Sequence, residues 1–229
     1  MNILVTGASS GIGREVALAL AADGAYLTLW GRDEERLTAV AEDVRRLGGT
    51  SDTRTVDLTV EAERDAAVQA LSDALHVVVH SAGTIHLSTV ADLREKAARD
   101  QWLLNAHAPA MLTQALLPRL RRAEGHVIFI NSGAGVNARA GWAAYAMSKH
   151  ALKALADSLR EEERRHGVQV TSLYPGRTDT PMQHVVRRQE GGRYEADAYV
   201  NAADVAQAVR HAVHMQPPSS MTDVHVRPR

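Results

Sequence analysis

The sequence predicts an α/β fold in which helices cover both faces of a parallel sheet. Two observations lead to this prediction. Short apolar runs that fit strands alternate with longer stretches of helical spacing over most of the chain, which is typical of parallel strands joined by helical crossovers. The first strand ends in a glycine-rich turn that opens a helix, as at the ligand crevice of doubly wound sheets.

The elements follow in a regular order along the chain. We predict a parallel sheet of seven strands, at 2–6, 26–30, 53–56, 77–80, 126–131, 169–174 and 222–226. Helices are predicted at 11–23, 33–47, 61–75, 100–122, 143–166 and 204–214. No repeat or linker interrupts the 229 residues, so residues 1–229 are expected to form a single domain. The polar stretch 183–201 is expected to be a mobile insert that acts as a lid.

The composition argues against several classes of function. The formal net charge is −1, so no nucleic-acid partner is expected. Cysteine is absent and the histidines form no metal-binding motif, so no metal is expected. No run approaches the roughly 20 apolar residues of a membrane span. A strand begins at once without a leader, and we therefore expect a cytoplasmic protein with no membrane partner.

The turn after the first strand reads Thr6-Gly7-Ala8-Ser9-Ser10-Gly11-Ile12-Gly13. Glycine permits a tight turn there, lets the backbone approach a pyrophosphate and lets the helix pack closely on the strand. Free N–H groups at the helix N-terminus favour phosphate. We predict cofactor contacts from Gly7, Ser9, Ser10, Gly11, Ile12 and Gly13, although such a turn can also be purely structural. A nucleoside triphosphate loop is excluded, because Arg14 follows Gly13 where that loop needs lysine.

The end of the second strand bears on the choice of nicotinamide cofactor. NAD enzymes usually place a carboxylate there for the ribose hydroxyls, whereas this chain has Trp30-Gly31-Arg32. The guanidinium of Arg32 could bind a ribose 2′-phosphate through charge-assisted hydrogen bonds, which favours NADP(H); a solvated loop arginine is the alternative. Asp33 is assigned to capping the helix that follows.

A phenol and an ammonium, on Tyr145 and Lys149, are four residues apart and so share one face of a predicted helix. Such a pair is common among ordinary helix residues. Further motifs surround it in order: the glycine turn, His80-Ser81-Ala82-Gly83, Asn105, Ile130-Asn131-Ser132 and Pro175-Gly176. Together these motifs resemble the short-chain dehydrogenase/reductase family over almost the whole chain. The resemblance implies a three-layer Rossmann fold with strand order 3-2-1-4-5-6-7, and a homodimer or homotetramer built on the two long helices.

The resemblance also implies a catalytic tetrad of Asn105, Ser132, Tyr145 and Lys149. Tyr145 would exchange the proton and Ser132 would hold the substrate oxygen. Lys149 would bind the nicotinamide ribose and lower the pKa of the phenol from about 10, with help from the charge of the oxidised nicotinamide. Asn105 would anchor a water that links Lys149 to solvent.

Secondary cofactor contacts are implied in the same way, in the order adenine, ribose and nicotinamide. They fall on Asp57, Leu58, Ser81, Ala82, Gly83, Pro175, Gly176, Thr178 and Thr180. The chain departs from the family at His80, where an Asn is usual, and we expect His80 to make a structural hydrogen bond.

These observations predict an NADP(H)-dependent oxidoreductase that transfers a hydride between the nicotinamide and a carbonyl or secondary alcohol. We expect the substrate pocket to be lined by Gly133, Ala134, Trp142 and the stretch after Pro175, which suits a small apolar or aromatic ketone or aldehyde. Two alternatives are a non-catalytic NADP(H)-binding sensor or scaffold of the same fold and a related epimerase or dehydratase. The intact tetrad argues against the first, and the short segment after Pro175 against the second.

Overall fold

The apolar runs of the sequence form the middle of a seven-stranded sheet in the computed structural model, which describes residues 1–229. The strands of this sheet are β1 (Asn2–Thr6), β2 (Tyr26–Gly31), β3 (Thr50–Thr55), β4 (Val77–His80), β5 (His126–Ile130), β6 (Gln169–Pro175) and β9 (Asp223–Val226). Their order is β3-β2-β1-β4-β5-β6-β9, and every neighbouring pair is parallel. The predicted fold class and strand order are confirmed. Two further strands, β7 (Thr178–Asp179) and β8 (Val200–Asn201), pair with each other outside this sheet.

Helices cover both faces of the sheet. They are α1 (Gly11–Ala21), α2 (Glu34–Arg46), α3 (Glu61–Gln69), α4 (Glu95–Trp102), α5 (Ala108–Arg122), α6 (Ala143–Glu163), α7 (Pro181–Gln189) and α8 (Ala202–Val213). One buried cluster joins α1, α2 and α8 to the sheet, and a second joins α3, α5 and α6 to its other side. None of these helices is both long and apolar enough to cross a membrane.

The helix predicted at 100–122 is in fact interrupted. α4 already begins at Glu95, and a π-helical turn at Leu103–His107 separates it from α5. Pro109 has no N–H to donate to the carbonyl of Asn105 four residues earlier, which disfavours regular α-helical bonding at this point. Such π-turns are frequent at functional sites, and this one contains a predicted site residue.

Two other boundaries differ from the prediction. β3 begins at Thr50, three residues earlier than expected, because its polar residues form an exposed edge strand with no apolar signal. α3 ends at Gln69 rather than 75, although Leu75 is buried in the same core cluster. The helical spacing of apolar residues therefore continued beyond the helix itself.

The stretch 183–201, for which no helix or strand was predicted, contains both. Its first part belongs to α7, followed by a 3₁₀ turn at Ala196–Ala198 and by β8. The hydroxyl of Thr180 accepts a hydrogen bond from the N–H of Gln183, and Pro181 opens the helix, both of which favour helix initiation. Only two residues of α7 are buried, so the apolar pattern was too short to indicate a helix.

Candidate active site

A cavity of about 440 Å³ runs along the carboxyl edge of the sheet, within the usual range of small-molecule sites. Most of the predicted site residues line it: Gly7, Ser9, Ser10, Gly11, Ile12, Arg32, Leu58, Ser81, Ala82, Gly83, Ser132, Tyr145, Lys149, Pro175, Gly176, Thr178 and Thr180. Gly133, Ala134 and Trp142 line it as well. Gly13 and Asp57, which were predicted to touch the cofactor, do not line it, and neither does Asn105, which was predicted to anchor a water.

The cavity has two ends that different strands position. The Arg32 end, defined by Gly31, Arg32 and Arg36, follows β2, and the Tyr145 end, defined by Ser132, Tyr145 and Lys149, follows β5. β2 and β5 are separated by β1 and β4, which makes three strand spacings. At about 4.8 Å per spacing the two ends are about 14 Å apart, so a ligand with two distant functional parts can bind along the edge.

The glycine turn forms the cradle between the two ends. Gly7 has a φ of +66°, and a Cβ there would lie 2.7 Å from the backbone of Ala82. A Cβ on Gly13 would lie 2.3 Å from the carbonyl oxygen of Gly7, so Gly13 allows helix packing and lies behind the turn, not in the cavity as predicted. The N-cap residue of α1, Ser10, makes no side-chain cap bond, which leaves the first N–H groups of the helix available to an anion.

The Arg32 end carries two arginines, of which only one is paired with an acid. Arg32 is exposed and forms no ion pair. Arg36 is paired with Asp33 at 3.1 Å, and it was missed although it follows Arg32 by one helical turn. Asp33 caps α2 as predicted, because its Oδ1 accepts a hydrogen bond from the N–H of Arg36 at 3.0 Å. Arg32 is thus the cation of this end that is free to bind an anionic ligand.

Asp57 does not extend into the cavity. Its Oδ1 accepts hydrogen bonds from the N–H of Thr59 at 2.9 Å and from the Thr59 hydroxyl at 2.7 Å. Burial opposes ionisation of this carboxyl, but the bonds from Thr59 and the charge of Arg32 together lower its pKa. Its neighbour Leu58 lines the cavity, and Asp57 instead holds the turn in place.

Tyr145 and Lys149 lie on α6 with 6% and 4% of their surface exposed. The Nζ of Lys149 lies 6.0 Å from the centroid of the Tyr145 ring and donates a hydrogen bond to the carbonyl of Ile130 at 2.9 Å. Ser132 follows β5, and its Oγ accepts from the N–H of Ala134 at 3.1 Å. The indole of Trp142 packs edge-on against Tyr145 at 5.9 Å between ring centroids. The structure therefore brings the three predicted catalytic side chains to one end of the cavity.

Burial dominates the proton affinities at this end. It raises the pKa of Tyr145 to about 12, and a hydrogen bond with the Ser132 side chain opposes the rise. Burial also lowers the pKa of Lys149 to about 8. The lowering of the phenol pKa that we expected from Lys149 is not seen among the protein groups alone, because both groups are desolvated and the ammonium donates to Ile130 instead.

Asn105 is fully buried in the π-helical turn and does not reach the cavity. Its Oδ1 accepts from the N–H of Thr84 at 2.8 Å, and its Nδ2 donates to the Thr84 carbonyl at 2.9 Å and to the Ser148 hydroxyl at 3.0 Å. These bonds join the chain after Gly83 to the residue that precedes Lys149. The side chain thus positions two walls of the cavity, and the water expected on it stays a prediction.

His80 lies below the cavity and makes the structural contacts that we expected. Its Nε2 is 2.9 Å from the Thr113 hydroxyl and its ring stacks on Phe129 at 5.0 Å. Burial lowers its pKa to about 3, so the ring is neutral. Thr180, predicted to touch the nicotinamide, lines the cavity, and its hydroxyl also caps α7.

An apolar wall packs around Tyr145, formed by the predicted Ala134 together with Ile85, Met182 and Val186. Ile85 was not predicted, and Met182 and Val186 were covered only by the general assignment of the stretch after Pro175 to the pocket. Asn131 and Gln183 also line the cavity, and their buried amide nitrogens have no hydrogen-bond partner. Such donors favour a ligand with acceptor atoms. The helical spacing of Met182, Gln183 and Val186 was the one signal that could have indicated this wall.

The residues present fit a nicotinamide dinucleotide. Any side chain at Gly7 would collide with the facing backbone, so this position is shaped for close approach. The open helix N-terminus, the free guanidinium of Arg32 and the two unpartnered amide donors match the phosphates and the carboxamide of such a cofactor.

Comparisons with known proteins agree with this geometry. An uncharacterised oxidoreductase of Staphylococcus epidermidis is 33% identical over 229 residues, covering 98% of this chain and 96% of that protein. A variant of the actinorhodin polyketide ketoreductase, solved with NADPH, superposes with a TM-score of 0.91 at 27% identity and covers 99% of this chain and 95% of its own. A metagenomic short-chain oxidoreductase in complex with NADP gives a TM-score of 0.86 at 29% identity, covering 100% and 97% of the two chains.

The family is shown by a match to its sequence model over most of the chain. The pattern of the short chain dehydrogenase family matches residues 1–191, which include the glycine turn, Ser132, Tyr145 and Lys149. With this match and the relatives above, the chain belongs to the short-chain dehydrogenase/reductase family of oxidoreductases.

Proposed function

We propose that the protein is an NADP(H)-dependent oxidoreductase that interconverts a carbonyl compound and its alcohol. One observation carries the proposal: the phenol of Tyr145, with Ser132 and Lys149, faces the same cavity as the glycine cradle two strand spacings away. A proton donor and a dinucleotide cradle at that separation suit hydride transfer to a carbonyl.

The chemistry that bound NADP(H) supplies is hydride transfer. Tyr145 provides the proton that the substrate oxygen takes up when a carbonyl is reduced, and Ser132 donates a hydrogen bond to that oxygen. The high pKa of the buried phenol keeps it protonated before the reaction. Lys149 offers its ammonium close to the phenol and to the cradle, and Asn105 acts as a positioning residue through Thr84 and Ser148.

Two observations support NADP(H) over NAD(H). Arg32 is exposed at the cavity, forms no ion pair and stands where a ribose 2′-phosphate would need a cation. The two solved relatives described above hold NADPH and NADP. Asp33 offers no competing site for ribose hydroxyls, because it caps α2 and pairs with Arg36.

The wall of the Tyr145 end supports a carbonyl substrate with an apolar part. Ile85, Ala134, Trp142 and Val186 enclose the phenol, and all four line the cavity. α7 closes this end, since the Oε1 of its last residue, Gln189, accepts a hydrogen bond from the N–H of Leu87 at 2.8 Å. We propose that α7 acts as the lid of the substrate site.

The experiment that tests the proposal is Tyr145→Phe. We expect a loss of turnover of about 10² to 10⁴, because the phenol oxygen is the proton donor, with NADPH binding retained. NADPH oxidation is measured against a diverse carbonyl panel, and NADPH binding by its fluorescence. A non-catalytic sensor finds no support in the relatives, which are oxidoreductases; a wild type that binds NADPH but reduces no carbonyl would favour it.

The expected homodimer or homotetramer stays a prediction. Trp102 on α4 and Met147 on α6 are exposed by 48% and 65%, and the two helices are neighbours. Light scattering of the wild type and of Met147→Glu would measure whether a second copy covers this face.

A further inference from the structure

The Tyr145 end of the cavity carries a positive charge that no acidic side chain offsets. Arg139 lies in the loop between Ser132 and Tyr145, lines the cavity and is exposed. No carboxylate lies within ion-pair distance of its guanidinium, whereas its carbon Cζ is 5.3 Å from the centroid of the Trp142 ring.

A second arginine of this end already has a carboxylate partner. Arg177 also lines the cavity and lies 5.7 Å from the Trp142 ring. Its guanidinium, however, is bound by both carboxylate oxygens of Glu190, one of them at 2.8 Å, and Glu190 binds Arg187 as well. The cavity lining holds no acid at this end, so Arg139 is the free cation there besides the buried Lys149.

Hydrogen bonds hold the backbone around Arg139 in place, although its guanidinium has no carboxylate partner. The carbonyl of Arg139 accepts a hydrogen bond from the N–H of Trp142 at 3.2 Å, and the next turn is tied to Ser88 through the carbonyl of Gly141 at 2.9 Å. The indole supports the guanidinium from one side, which reduces the entropy lost when an anion binds. Trp142 also contacts Tyr145, so one indole joins the free guanidinium to the proton donor.

We propose that the substrate carries a carboxylate, which the guanidinium of Arg139 binds while the carbonyl lies at Tyr145. The inference rests on the proposed function and narrows its substrate class from apolar carbonyls to apolar keto acids and hydroxy acids. The apolar body contacts Ile85, Trp142 and Val186. A carboxylate matches the planar fork of arginine through two parallel hydrogen bonds.

Three aryl ketones test the proposal. They are 4-acetylbenzoate, its methyl ester, which has no charge, and acetophenone, which lacks the para substituent. We expect the wild type to reduce the carboxylate with a kcat/KM about tenfold or more above that of the ester, the effect of one charge-assisted contact. Arg139→Gln should abolish this preference, so that the ratio of kcat/KM for acid and ester falls to about one. Arg188→Gln is the matched control, because Arg188 is exposed on α7 outside the cavity lining, and it should behave as the wild type.

The outcomes separate this inference from the proposed function. Equal rates for acid and ester in the wild type, or a loss in Arg139→Gln that affects both alike, would overturn the carboxylate site and leave the reductase standing. If no ketone is reduced, the reductase proposal fails. Benzoate binding, measured by calorimetry with NADPH present, then tests whether Arg139 binds a carboxylate. Binding that Arg139→Gln weakens at least about tenfold supports the site, and binding that is absent or unchanged overturns it.

Discussion

The two ends of the cavity use charge in opposite ways. At the Arg32 end the free guanidinium is exposed and its neighbours Asp33 and Arg36 pair at the surface, where water and salt screen their fields. At the Tyr145 end the phenol and the ammonium are almost completely buried, and burial has moved both pKa values. Charges at the Arg32 end should therefore tune affinity, whereas those at the Tyr145 end should control the rate and its pH dependence.

Among the charged side chains of the two ends, the largest effect is expected from Lys149. Its pKa of about 8 means that the ammonium loses its proton as the pH rises through about 8, while the phenol, with a pKa of about 12, stays protonated. If the cation is needed, kcat/KM for ketone reduction falls above about pH 8, and Lys149→Met lowers it about a hundredfold or more at pH 7. Initial rates from pH 6 to 10 measure both.

The control removes a lysine that lies on the same helix but outside the cavity. Lys153 lies one turn further along α6 and pairs with Asp157 at 2.6 Å, so Lys153→Met should leave the profile unchanged. A wild-type rate that stays flat up to pH 9.5 would contradict the role of a buried ammonium.

A second effect of burial should appear outside the cavity, in the two buried histidines. Burial lowers the pKa of His80 to about 3 and that of His126 to about 4, below the value of about 6.5 in the unfolded chain. Because the folded pKa is the lower one, the stabilisation is complete above pH 6.5 and is lost as the pH falls towards 4 and then 3. In this window each histidine should lower the free energy of unfolding by about 1.4 kcal/mol for every unit by which the pH falls.

Urea unfolding between pH 7 and 4 measures this slope. His80→Asn, which introduces the amide usual in the family, should reduce the slope between pH 6 and 4 by about 1.4 kcal/mol per pH unit, because one of the two buried histidines is gone. His211→Asn, at an exposed position on α8, serves as the control. An unchanged slope in His80→Asn would mean that burial does not set the charge of this ring.

Much of this arrangement is predictable from the sequence because its signals are local. The alternation of strands and helices, the glycine turn and the one-turn spacing of Tyr145 and Lys149 depend on residues near each other in the chain. The cap at Asp33 is a local signal too, and it was interpreted correctly.

The features that could not be predicted depend on tertiary contacts. Asn105 is held by Thr84 and Ser148, which lie far along the chain, so its withdrawal from the cavity has no local signal. Arg177 is paired with Glu190 while Arg139 has no carboxylate partner, and this difference between two arginines depends on which side chains the fold brings together. The pKa of Tyr145 is raised by burial against α7, a helix whose short apolar pattern was interpreted as a polar insert.

The smallest effect is expected at the Arg32 end. Arg32→Ala should raise KM for NADPH by about tenfold and leave KM for NADH unchanged, because the guanidinium is exposed and acts on the 2′-phosphate alone. Arg36→Ala should have less effect, since Arg36 is already paired with Asp33. Arg45→Ala, an exposed position on the same helix outside the cavity lining, is the control.

The two ends should also respond differently to ionic strength in the same assay. Raising salt from about 0.01 to 1 M shortens the screening length from about 30 to 3 Å, so the NADPH advantage of the wild type should shrink as it does in Arg32→Ala. The pH profile attributed to Lys149 should hardly move, because buried charges are poorly screened. A salt-insensitive cofactor preference would place the 2′-phosphate contact on a buried group, and Arg32 would then be an ordinary solvated arginine.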